Sequence, residues 1–152
     1  MTNNLRPDVF DMPGDPEAAR LVSLIRAIVG CPAAQGYNRL TESGPIGKIV
    51  AFLREVDFGA RRRLILAAGD RATADELALV NLLVESQGGD LHACRARAIW
   101  LVKLSMVQRV TAAAGIAADA LALAGVLFEP AASSEHERVE EAKPAHQRRL
   151  QG

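Results

Sequence analysis

Between Asp15 and Pro130, apolar residues recur at intervals of three and four, the period of a helix with one buried face. Leu21, Leu24, Ile25 and Ile28 form one such stripe, with Val22 and Val29 at its margin and Arg20, Ser23 and Arg26 opposite. Asp15-Pro16-Glu17 opens this first helix with a side-chain acceptor at the N-cap, proline at the first helical position and an acid near the positive end of the dipole. Gly30 stops it and Pro32 prevents its return. Residues 30–44, with Tyr37 and Asn38, read as a loop. Ser43-Gly44-Pro45 then starts a second helix, placing Ile46, Ile49, Val50, Phe52, Leu53 and Val56 on one wide arc and Lys48, Arg54 and Glu55 on the other.

Gly59 allows a break, and the pattern predicts a short third helix from about Ala60 to Ala68, ended by Gly69. Thr73-Ala74-Asp75-Glu76 is a capping box, in which the Thr hydroxyl and the Glu carboxylate each satisfy an orphan backbone N–H. The fourth helix follows, with Leu77, Val80, Leu83 and Val84 on its main face, Leu79 and Leu82 flanking, and Gly88-Gly89 at its end. Asp90 caps a fifth helix that the pattern carries as far as Ala114. Its stretch from Ala98 to Val107 is apolar nearly all round, as befits a helix surrounded by others, so Trp100 is expected in the middle of the core. Gly115 interrupts, and a sixth helix is predicted from about Ala117 to Phe128. The expected fold is all-α: a compact bundle of five or six helices around a central apolar helix. The expected organisation is an N-terminal arm over 1–14, a helical domain over 15–130 and a charged mobile tail over 131–152.

Composition strengthens the helical reading: 27 Ala and 18 Leu stand against one Trp, one Tyr and four Phe. Lys plus Arg is 18 and Asp plus Glu is 18, so the basic excess of a chain dedicated to nucleic acid is missing. The N-terminus carries no apolar signal-peptide core, and Cys31 and Cys94 form no disulfide framework, which together point to a cytoplasmic location. Val110 to Phe128 is long enough to cross a bilayer, with Asp119 its one charge. Its alanines gain little from lipid, and Asp119 near the middle costs roughly 2.5–3.5 kcal/mol, so two short buried helices and no membrane partner are expected.

Within that stretch, Thr111-Ala112-Ala113-Ala114-Gly115-Ile116-Ala117-Ala118-Asp119-Ala120-Leu121 resembles the helix-turn-helix of many bacterial repressors. The resemblance implies DNA reading by the second helix. That helix offers only Ala, Leu and Asp119, none of which reads a base edge, and Asp119 repels phosphate. The remaining basic supply is Arg61, Arg62 and Arg63, which fan over about 200° if helical, with Arg95, Arg97 and Arg109. Arg95 and Arg97 lie at the electropositive end of their helix and call for anionic partners, either neighbouring acids such as Asp90 and Glu85 or a bound phosphate. Cys94, near His92, Arg95 and Arg97 in the first turns of a helix, is the candidate for a thiol sensor or enzyme; the competing reading is a small packed thiol. No phosphate loop, metal-ligand spacing or catalytic carboxylate pair is present, so no catalytic residue, metal or cofactor is assigned. The expectation is a non-enzymatic protein-interaction module that self-associates, with Leu79, Leu82 and Leu121 supplying the contact. The alternatives are a nucleic-acid-associated subunit using the six arginines and a thiol chemistry at Cys94.

Overall fold

A computed structural model describes residues 8–30, 44–67 and 69–129. The first helix, α1 (Pro16–Val29), has the expected bounds: the Asp15 carboxylate accepts from the Glu17 N–H, and Gly30 caps the other end. Ala18, Leu21, Val22 and Ile25 are its buried residues. Helix α2 (Pro45–Gly59) likewise begins at its proline and buries Ile49, Phe52, Leu53 and Val56. Between them lies a segment outside the described residues, which includes Cys31, Tyr37 and Asn38.

After α2 the expectation of a third helix fails. Residues 61–67 run without helical structure up to strand β2 (Arg71–Thr73), which pairs antiparallel with strand β1 (Val9–Asp11). The described part of the N-terminal arm therefore holds a strand, with Phe10 opposite Ala72. Helix α3 (Ala74–Gln87) begins at the capping box, both halves of which form.

The first turn of α3 explains why 61–67 and 69–73 are not helical. Asp75 and Glu76 are both buried. Asp75 accepts both Nη atoms of Arg62, at 2.7 and 2.9 Å, and the Ile65 N–H at 2.8 Å. Glu76 accepts Nε and Nη2 of Arg26 and the backbone N–H groups of Ala67 and Thr73. The Thr73 hydroxyl donates to the Ile65 carbonyl. Arg26 also donates to the carbonyls of Gly69 and Arg71. Backbone groups that a helix would satisfy internally are satisfied here by two carboxylates and an arginine.

Helix α4 (Leu91–Leu101) starts where Asp90 caps it but stops far short of Ala114. Val102 is extended and bridges Ala60, the Lys103 N–H donates to the Gly59 carbonyl, and Nε of Arg61 caps the carbonyls of Ile99 and Val102. A 3₁₀ turn (Leu104–Met106) leads into α5 (Val107–Leu123). Gly59 permits this junction, because a Cβ there would lie 2.7 Å from the Met106 Cβ. The uniformly apolar segment from Ala98 to Val107 is thus a corner and not a central rod. Trp100 is 51% exposed and Leu104 is exposed, whereas Val102 is fully buried.

Gly115 does not break the last helix. Helix α5 runs through it to Leu123, and Gly125, just past the Ala124 cap, takes a φ of +87° that suits glycine, with the Val126 N–H returning to the Leu121 carbonyl. The cost of a mid-helix glycine, about 1 kcal/mol, is small beside the burial of Val110, Ala114, Ala117, Ala118 and Leu121. This single helix also removes the turn that the repressor-like motif requires. Among the described residues there are five α-helices and one two-stranded sheet, so the chain is mostly helical. Helix α3 packs against α1, α4 and α5, and α5 against α2, α3 and α4. The stretch Leu104–Leu123 has the length and apolar character of a membrane-crossing helix, and part of it is buried in these contacts. The tail from 131 lies outside the described residues.

The hydrogen bond from Arg26, with those from the Thr73 and Ala67 backbones, outweighs the burial that alone would raise the Glu76 pKa, and holds it below the usual carboxylate value. A lowered folded pKa means stability that is present above the unfolded value, near 4.5, and is lost as pH falls through the folded one. Urea titrations are expected to show Glu76→Gln less stable than the parent by about 3 kcal/mol at pH 7. The gap should narrow steadily below pH 4.5; a constant gap would show that Glu76 carries no such linkage.

Candidate functional site

Helices α3 and α4 are joined by Gly88-Gly89, and Gly89 takes the left-handed conformation (φ +77°) that so tight a connection needs. So short a connection sets the two helices side by side as an antiparallel hairpin, and one face of that hairpin is open. Ala74, Leu77 and Ala78 of α3, Ala93, Ala96 and Trp100 of α4, and Phe10 of β1 line it. The resulting groove has a volume of about 640 Å³, and Asn81 and Arg97 are the polar residues that line it. On α3 the lining residues run from Ala74 to Asn81, which at 1.5 Å per residue is roughly 10 Å, or two helical turns. The capping box fixes where α3 begins, and the β1–β2 pairing fixes Phe10 beside it.

Arg62 links the groove to the carboxylate clamp. While bound to Asp75 it lies over the Trp100 ring, 5.3 Å from the centroid, which holds the indole at the rim. Arg97 is held by Glu85, with Nε 3.0 and 3.1 Å from the two carboxylate oxygens.

The outer face of α5 presents the converse shape. Ala112, Ile116, Asp119 and Leu123 fall at intervals of four, three and four, and all are exposed, Ile116 by 56% and Leu123 by 90%. They form an apolar ridge with one acid in it.

The residues expected to make a protein contact lie elsewhere. Leu79, Leu82 and Leu121 are 1%, 0% and 6% exposed, so their side chains are spent in the core. Helix α3 turns its flanking leucines inward because α1, α4 and α5 enclose it. The ridge residue is Leu123, two positions beyond Leu121. Of the six arginines considered for phosphate binding, Arg62, Arg97 and Arg109 pair with Asp75, Glu85 and Glu55. Arg61 caps α4. Arg63 and Arg95 are exposed and make no ion pair among the described residues.

Cys94 is 1% exposed, with Sγ 3.7 Å from the Leu82 carbonyl. Burial first, and then Glu85, push its thiol up to about 11, against a smaller opposing pull from Arg97. The expected activation by the helix terminus and nearby cations is overcome by desolvation. Among the described residues no cluster of His, Cys, Asp or Glu could hold a metal ion. Sequence reasoning missed Phe10, which lay in a presumed arm, and the four alanines, which it took only as helix formers; their spacing at three and four across two consecutive helices was the available signal.

No protein-family model, curated protein or solved structure matches the chain.

In a Cys31→Ser background, a thiol reagent at pH 7.5 is expected to label Cys94 at least a hundredfold more slowly in the folded protein than in urea, since the group is both buried and protonated. Equal rates would restore a reactive thiol.

Proposed function

We propose that the chain is a helical protein-interaction module that self-associates, the α5 ridge of one copy lying in the α3/α4 groove of the next. The observation that carries this reading is the presence on one chain of both an open alanine-lined groove and an exposed apolar ridge. Each large side chain seated in the groove contributes about 1.5–3 kcal/mol of apolar burial, before the cost of association. Ile116 and Leu123 on the ridge, with Phe10 and Trp100 in the groove, are the residues with most to gain. Asp119 lies between Ile116 and Leu123, and Asn81 on the groove offers an amide donor to a carboxylate, while Arg97 beside it is already paired with Glu85. A contact between two different patches is head-to-tail, so it builds rings or short filaments and does not close automatically as a twofold dimer.

Two blocked variants test this. Ala96→Arg fills the groove and leaves the ridge; Ile116→Glu spoils the ridge and leaves the groove. Light scattering is expected to show the parent growing in mass with concentration and each variant alone staying monomeric. An equimolar mixture of the two should form a one-to-one heterodimer, through the single intact groove and single intact ridge. A parent that stays monomeric at millimolar concentration, or a mixture that fails to associate, contradicts the reading.

A further inference from the structure

A second cleft, separate from the groove, lies where α1 and α2 meet the non-helical segment after α2. Its volume is about 670 Å³, within the range of small-molecule sites. It exists because the Asp75 and Glu76 carboxylates hold residues 64–67 away from helical structure. Ile65 is bound through its N–H to Asp75 and through its carbonyl to Thr73, and the Ala67 N–H to Glu76. The chain therefore passes along the rim of the cleft, with Leu64 and Leu66 partly buried against the core and Arg63 and Ile65 exposed. Ile28, Val29, Val50, Leu53 and Leu79 complete the apolar lining. The charged residues that line it are Arg54, Asp57 and Arg63. Arg63 forms no ion pair or side-chain hydrogen bond among the described residues, unlike its neighbour Arg62.

An apolar cleft with a cationic edge matches one class of ligand. We propose that it binds a small amphipathic acid, the hydrocarbon body lying among Ile28, Val50, Leu53, Leu64 and Leu66 and the carboxylate meeting Arg63. A planar guanidinium suits a carboxylate because it donates two parallel N–H bonds.

Calorimetric titration of the full chain with decanoate, below its micelle concentration, tests the proposal. Decanol and decyltrimethylammonium serve as neutral and cationic controls. The expected result is saturable one-to-one binding of decanoate, at least tenfold tighter than either control. Arg63→Ala should weaken decanoate about tenfold and leave decanol unchanged, with Arg63→Lys recovering part of the loss. Val50→Trp, checked for folding by circular dichroism, should abolish binding by filling the cleft. The proposal is overturned if decanoate does not saturate, if the three probes bind alike, or if Val50→Trp binds decanoate as the parent does.

Discussion

Asp75 and Glu76 sit side by side in the first turn of α3, almost without solvent, and each is met by an arginine from a distant part of the chain. Burying two carboxylates is costly unless every lone pair finds a donor. Here the donors come from Arg26 on α1, Arg62 after α2, and the backbone at Ile65, Ala67 and Thr73. The pair also has a structural role. It substitutes for the hydrogen bonds of a missing helix and holds residues 61–67 and 69–73 in a shape that local propensity would not choose.

Much of the surface follows from that restraint. Holding 71–73 as a strand allows β1 to pair with it, and β1 brings Phe10 to the α3/α4 groove. Holding Arg62 against Asp75 places its guanidinium over Trp100 and keeps the indole at the rim. Holding 63–66 clear of helix opens the cleft beside α2. The neighbouring corner, where Arg61 caps α4 and Gly59 admits Met106, ends α4 at Leu101 and sends α5 back across the bundle. Groove, ridge and cleft are thus consequences of where helices stop.

Helix starts were legible because their chemistry is local. Asp15-Pro16, Gly44-Pro45, Thr73 with Glu76, and Asp90 each announce a first turn, and all four helices begin there. The ends and interruptions were not legible where tertiary partners decide them. No Gly or Pro marks Val102, whose extended backbone depends on Ala60 across the junction. Gly115 looks like a stop but is carried inside α5, because the alanines around it are buried against α2, α3 and α4. Trp100 was misplaced for a related reason: hydrophobicity all round suggested enclosure, while the break at Val102 turned the indole outward. The groove was hidden because alanine signals helix in a sequence and close approach only in a fold, and because Phe10 reaches the site through a strand pairing 62 residues away in sequence.

The claim on which these consequences rest is that side-chain carboxylates hold the backbone of a segment that forms no helix. Native-state amide hydrogen exchange reads this directly at Ile65, Ala67 and Thr73. The account predicts protection at these three amides close to that of the buried middle of α3. Exchange at the rate of an open loop, with α3 itself protected, would contradict it.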